Sequence, residues 1–272
     1  MGKFDGVLLV SDLDGTLLRA DQKIGQKNRE AIQRFTAEGG TFTYVTGRSL
    51  NGLQPVFRKL IPDSPVGCFN GGGIFDPKSD AYVWKVPLDP EAEELTNFVY
   101  SQFPDAGIEL CGFREAWFMR SNALTEAHRR IEEVPDVRAA YCDVAEYMAK
   151  VLLIIKSDRL DALANALAGH PLAERFNFVQ SSPEYYEILP KGSSKGNLVI
   201  RLAELLGIDR TGIVAVGDNH NDVSMLEAAA YGVAVANATS HAKNAADLVL
   251  DHTNEEDAIA ELIERMEMKL PF

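Results

Sequence analysis

Cysteine, long apolar runs and positive charge are all scarce in this chain of 272 residues. The three cysteines, Cys68, Cys111 and Cys142, are odd in number, widely spaced and form no Cys-x-x-Cys. That pattern argues against a disulfide framework and for a reduced cytosolic setting, with all three as small core or surface residues. No stretch approaches the ~20 apolar residues of a membrane span. The opening Met1-Gly2-Lys3-Phe4-Asp5 places an acid before an apolar run too short for a signal peptide. Lys and Arg number 27 against 40 Asp and Glu, a net charge of −13. Binding a polyanion needs a basic face, so nucleic acid and an anionic membrane are excluded as main partners. Any phosphorylated substrate must then be drawn in by local cations, metal included. The five histidines show no ligand spacing. The expectation is a soluble, cytoplasmic protein, monomer or homodimer.

Hydrophobic residues make up 46% of the chain, enough for a large core, and the length suggests roughly two domains at ~150 residues each. Organisation begins at Val7-Leu8-Leu9-Val10-Ser11-Asp12-Leu13-Asp14-Gly15-Thr16. A short apolar run bounded by a turn signal reads as a strand buried on both faces, as in a parallel sheet. Ligands of open α/β sheets sit outside the carboxyl ends of the strands. Asp12 and Asp14 therefore stand where an active site is expected. Two carboxylates this close repel. A hard cation such as Mg²⁺ resolves that, as does a division of labour between an ionised nucleophile and a protonated acid. The alternative is a strand end whose Asp residues cap a turn.

After a polar connection through Asp21 and Gly25, Asn28 opens a helical pattern with Ala31, Ile32, Phe35 and Ala37 that stops at Gly39-Gly40, and Thr41 to Val45 reads as the next strand. Thr46-Gly47-Arg48 follows it, then a helix from about Ser49 to Leu60. Val66 to Phe69 reads as a third strand, ending in Asn70-Gly71-Gly72-Gly73, and Ile74-Phe75 with Tyr82-Val83-Trp84 as an antiparallel hairpin. Alternating strands and helices predict a right-handed wound parallel sheet. Pro87-Leu88-Asp89-Pro90 breaks the pattern. From there to Leu189, helices pair with adjacent strands and the strand ends lack polar clusters, which predicts an inserted α+β domain at 88–189. The first pattern returns with a helix from Ser194 to Leu206 and a strand Ile213 to Val216 running into Gly217-Asp218-Asn219-His220-Asn221-Asp222. The remaining segments are a helix through Met225, strands at Val233 and Leu248, and a closing helix from Glu255 to about Met268.

Four polar clusters thus fall at strand ends or helix starts of the outer segments: Asp12/Asp14, Thr46-Gly47-Arg48, Lys195, and Asp218 with Asn221 and Asp222. Each alone has an ordinary reading. Thr46 caps a helix, Lys195 is a solvated surface lysine, and Asp218 and Asp222 serve a turn. Their joint order along one sheet edge is what points to chemistry.

In this combination the sequence resembles the haloacid dehalogenase superfamily of phosphohydrolases, and the insertion between the second and third motifs resembles its Cof-type (IIB) branch. The resemblance implies a Rossmann-like α/β core of residues 1–87 and 190–272, with helices on both faces of a parallel sheet and an α+β cap at 88–189. It implies a phosphoric monoester hydrolase that uses Mg²⁺ on a small phosphorylated metabolite, a sugar phosphate above all. Asp12 is then the nucleophile that becomes an aspartyl-phosphate, Asp14 the general acid and base, and Lys195, Thr46, Gly47 and Asn221 the grip on the phosphoryl oxygens. Metal binding falls to Asp12, Asp14 through its carbonyl, and Asp218, with Asp222 orienting water at the ion. Arg48 faces either phosphate or solvent. Asn237 either holds the loop beside Asp218 or serves a turn, and His220 is read as loop. Trp117, Arg114, Lys150 and Tyr185 are read as pocket-lining or as ordinary cap residues. The rivals are a phosphosugar mutase, whose second motif differs from Thr46-Gly47-Arg48, and a non-enzymatic phosphometabolite-binding regulator, which would need neither Asp12 nor Asp14.

Overall fold

The computed structural model describes residues 2–269. Leu8–Ser11, buried throughout, is an inner strand of a five-stranded parallel sheet. Across the sheet the order is Leu248–Val249, Tyr231–Ala234, Ile213–Gly217, Leu8–Ser11, Thr41–Tyr44. A strand apolar on both faces must be covered on both faces, and the connections supply the cover. The chain steps one way from Leu8–Ser11 to Thr41–Tyr44 and the other way from Ile213–Gly217 to Tyr231–Ala234. With right-handed crossovers the intervening helices lie on opposite faces. Accordingly Gln26–Ala37 packs with Ala258–Lys269, and Lys195–Leu206 packs with Val223–Ala228 as a separate group.

Register brings distant sequence together. Ser11 pairs with Val216 on one side and Tyr44 on the other, and the Asp12 N–H donates to Val216 O at 2.9 Å. Residues after 11, 44 and 217 therefore leave the sheet side by side.

Val66–Cys68 departs from expectation. It pairs antiparallel with Gly73–Asp76, which pairs with Ala81–Lys85, so the three form their own small sheet. A single bridge, Val45 with Gly67, links it to the main sheet. The turn at 69–72 is too short for a crossover, and two adjacent strands so joined can only be antiparallel.

The second five-stranded sheet is antiparallel throughout, in the order Ala116–Arg120, Gly107–Gly112, Met148–Ile154, Tyr185–Pro190, Phe176–Ser182. Helices Ala92–Gln102 and Ser157–Ala168 contribute to its own apolar cluster, which takes Val151, Leu153 and Ile155. Alternate residues Leu152 and Ile154 join the cluster of the parallel-sheet unit instead. This period of two gives the sheet a second face, directed at the first sheet's strand ends. Lys150 shares that face, and Glu109 and Glu187 stand opposite Leu152 in register. A short helix, Tyr141–Val144, precedes Met148–Ile154 and had no counterpart in the pattern reading.

Candidate active site

The tight turn after Leu8–Ser11 depends on Gly15, whose φ of +82° favours glycine. A Cβ there would fall 2.6 Å from Asp218 Oδ2. Two neighbours fix this contact: the Thr16 hydroxyl donates to Asp218 Oδ1 at 2.8 Å, and Asn237 Nδ2 donates to Gly15 O at 2.8 Å. Asn237 thus holds the Gly15 loop beside Asp218.

Lys195 is the first residue of its helix because Ser194 caps it, accepting from the Asn197 N–H at 3.1 Å. Its side chain is 1% exposed and runs inward. Nζ lies 2.5 Å from Asp12 Oδ1 and 2.5 Å from Asp222 Oδ1. Burial alone would lower the ammonium's pKa; the two carboxylates more than offset that and raise it. Lys195 is therefore a buried cation between two acids. Asp222 is fully buried, and its other oxygen accepts from the Asp218 and Asn219 N–H groups at 2.9 Å each. Both its oxygens are engaged in shaping the loop.

Carboxylate oxygens of Asp12, Asp218 and Asp222 lie within 4.8 Å of one another. Burial, reinforced by Asp222, pushes the Asp218 carboxyl up to about 7. Burial and Asp222 likewise raise Asp12 well above the carboxylate range, against the pull of Lys195. Three acids facing one ammonium form a corner short of positive charge, and an all-oxygen donor set suits a hard divalent cation. The residues fit Mg²⁺. The Asp14 carboxylate is not part of this cluster.

Instead Asp14 is taken by Arg48, which is buried rather than in solvent and borders the same cavity as Asp12 and Thr46. The guanidinium grips both Asp14 oxygens, Nε to Oδ2 at 2.7 Å and Nη2 to Oδ1 at 2.6 Å. It also donates to Gly52 O at 3.0 Å and to the Gln22 amide oxygen. The Asp14 side chain is 49% exposed, and any desolvation at the cavity mouth is outweighed by Arg48's charge and hydrogen bonds, which hold its pKa below the usual value. The residue capping the helix Leu50–Phe57 is Ser49, which accepts from the Gly52 N–H. Thr46 Oγ accepts from the Arg48 N–H at 3.1 Å, tightening the Thr46-Gly47-Arg48 turn.

Thr46, Gly47 and Asn221 line the same cavity as Asp12 and Asp14, a space of about 200 Å³. Lys195 borders it through its bond to Asp12. Phe69 and Asn70 adopt left-handed backbone, φ 57° and 50°, a strained turn of the kind that clusters at functional sites. It delivers Asn70 between Asn221 Nδ2 at 3.1 Å and Glu187 Oε1, to which Asn70 donates at 2.9 Å.

The opposite wall comes from the second sheet. Lys150 pairs with Glu187 at 2.9 Å and donates to Gly47 O at 2.9 Å. Ser181 Oγ donates to Glu187 at 2.6 Å, and Asn219 Nδ2 to Ser181 O at 3.1 Å. Tyr185, His128 and Glu132 complete that wall. Arg114 lies elsewhere, paired with Asp80, and Trp117 packs on Tyr147. His220 packs edge-on against His241 and is no part of the cavity. Glu187, His128 and Glu132 were missed in the sequence. The i,i+4 spacing of His128 and Glu132 on one helix face was the available signal.

A family model described as haloacid dehalogenase-like hydrolase matches residues 9–263. The YxeH protein of Bacillus subtilis (strain 168) is 31% identical over 273 residues, covering 94% of this chain and 98% of its own. The 5-amino-6-(5-phospho-D-ribitylamino)uracil phosphatase YwtE of the same organism is 28% identical over 282 residues, covering 94% and 96%. The crystal structure of a haloacid dehalogenase-like hydrolase from Bacteroides thetaiotaomicron superposes with a TM-score of 0.83 at 27% identity, covering 96% of this chain and 99% of that one.

Proposed function

This chain belongs to the haloacid dehalogenase-like hydrolase family, and on that premise we propose that it is a Mg²⁺-dependent phosphatase of a small phosphorylated metabolite, such as a sugar or polyol phosphate. The observation that carries the reading is the seat of Asp12: buried against Lys195, beside Asp218, at the floor of a small cavity walled by both sheets. A cavity of that size suits a metabolite and leaves no room for a phosphoprotein side chain with its backbone. YwtE, whose named substrate is a phosphorylated ribityl compound, supports the same class.

In this proposal Lys195 holds Asp12 Oδ1, leaving Oδ2 to attack phosphorus. The bond from phosphorus to the alcohol oxygen breaks as the aspartyl-phosphate forms, and Asp14 gives the departing oxygen its proton. Water then attacks the aspartyl-phosphate, Asp14 takes a proton from it, and inorganic phosphate leaves with Asp12 restored. Thr46, the Gly47 N–H, Asn221 and Lys195 grip the phosphoryl oxygens and offset their charge. Asp12, Asp218 and the Asp14 carbonyl would hold Mg²⁺, which would neutralise phosphoryl charge there. Asp222 positions Lys195 and the 218–219 backbone. Arg48 keeps Asp14 ionised, the form the second step needs, so before the first step Asp14 takes a proton from solvent, which its half-exposed side chain reaches.

Residues 88–189 would act as a lid hinged near Pro87–Pro90 and Leu189–Gly192, excluding water and contacting the leaving group. A screen of phosphorylated metabolites with Mg²⁺, read as free phosphate, tests the reading. Phosphate release that disappears in Asp12→Asn is expected. Conversion between isomeric sugar phosphates without free phosphate would overturn hydrolysis in favour of a mutase.

A further inference from the structure

Each acid on the lid wall has a cation within reach, but Glu132 is held least closely. Lys150 and Glu187 satisfy each other, Gly47 O and Asn70. Glu109 pairs with His128 Nε2 at 3.1 Å. Glu132 remains. It is 8% exposed and lines the cavity that holds Asp12 and Asp14. Its nearest ion-pair partner is His128 at 3.8 Å, and among the described residues no side chain or N–H is recorded donating a hydrogen bond to it. Its position compounds the cost. Glu132 is the last residue of the helix Ala123–Glu132, where the helix dipole disfavours negative charge. A buried carboxyl lacking donors is itself destabilising. His128 and the Arg48 guanidinium balance the charge of Glu132, but neither is recorded donating a hydrogen bond to its oxygens, so they keep room for one.

The neighbouring unit has made room for this group. Gly52 lies under the carboxylate, and a Cβ there would fall 2.2 Å from Glu132 Oε2. Glycine in a helix is unfavourable relative to alanine, so position 52 also gives up local stability beside the same carboxylate.

We propose that Glu132 is a specificity-determining residue that accepts a hydrogen bond from a hydroxyl on the alcohol portion of the substrate. This rests on the phosphatase reading and narrows it: the preferred substrates are phosphomonoesters of polyhydroxylated alcohols. His128 backs the carboxylate from the preceding turn, and Tyr185 packs edge-on against His128 at 5.2 Å between centroids. A phosphate ester without a hydroxyl in its leaving group gains nothing from Glu132.

The test compares hexose 6-phosphates and pentitol phosphates with p-nitrophenyl phosphate on the full chain with Mg²⁺. Glu132→Ala is expected to lower kcat/KM for the best polyol or sugar phosphate roughly tenfold to a hundredfold, mainly through KM. Turnover of p-nitrophenyl phosphate should stay within about twofold. Glu132→Gln, which keeps an acceptor oxygen, should recover part of the loss. Gly52→Ala displaces the carboxylate without removing it and favours the helix, so it should reproduce the selective loss in a folded protein. Equal loss on every substrate would make Glu132 a latch between the two units and overturn the proposal, as would no loss on any. Wild-type turnover of p-nitrophenyl phosphate separates the two levels. Its presence with no preference for hydroxylated substrates defeats this proposal alone. A complete absence of phosphomonoester hydrolysis defeats the phosphatase reading and this proposal with it.

Discussion

Arg48 closes on both carboxylate oxygens of Asp14, at 2.7 and 2.6 Å, from a buried seat under the helix Leu50–Phe57. The proposed acid and base is thereby oriented by a residue that reaches it across 34 positions of sequence. A bidentate guanidinium fixes direction as well as charge.

That relationship predicts how turnover depends on the leaving group. Asp14→Asn should slow hydrolysis of an alkyl phosphate by roughly 10²–10⁴-fold. An aryl phosphate, whose leaving group needs no proton, should lose less in the first step and accumulate aspartyl-phosphate because the second step lacks its base. Arg48→Met, which removes the charge holding Asp14 ionised, should spare leaving-group protonation and weaken chiefly the second step, so that aspartyl-phosphate accumulates with both ester types. Rapid-quench kinetics on the two ester types would check this, and equal losses on both in Asp14→Asn would contradict the acid role.

Lys195 is wedged between Asp12 and Asp222, all three nearly inaccessible. Lys195→Met leaves two buried carboxylates uncompensated, a change worth about 3–5 kcal/mol of stability. Denaturant unfolding should show that loss, with part of it recovered by adding Mg²⁺, since a cation that binds only the folded state stabilises it. A variant as stable as wild type would mean that the ammonium does not balance those acids.

The lid should be sensitive to alkaline pH through His128. Burial by itself lowers the imidazole's pKa; Glu132 and Glu109 more than offset this and push it up to about 9, from 6.5. A folded-state pKa above the unfolded value gives stability that is fully present below pH 6.5 and lost as pH rises through about 9. The loss should be about 3 kcal/mol. Unfolding free energies across that range in wild type and His128→Gln would check it. A variant whose pH dependence matches wild type would contradict the charged imidazolium.

Much of this site was legible from strand ends. Asp12 and Asp218 could be placed at one edge because parallel strands present their carboxyl ends together, as the register of Ser11 with Val216 delivers, whereas Lys195 reaches that edge from the start of a helix. Most helix and strand positions followed from periodicity and glycine stops, as Gly207 shows by ending Lys195–Leu206 in a left-handed turn. Val66–Cys68 was misplaced because a three-residue apolar strand carries no information about direction. Arg48 escaped for a different reason. Its partner is set by how far the Asp14 turn leans, which no local pattern encodes. Glu132 and Glu187 look like solvated acids in sequence, since only the pairing of the second sheet with the strand ends of the first buries them.

The most direct test is to look for the phosphoryl group on the nucleophile. Wild-type protein mixed with Mg²⁺ and a hydrolysed phosphomonoester, quenched in acid and digested, should yield the peptide around Asp12 carrying one phosphoryl adduct. Asp12→Asn should yield none, and Asp14→Asn more than wild type. Full turnover with Asp12 unmodified at every time point, or with Asp12→Asn still active, would contradict the account.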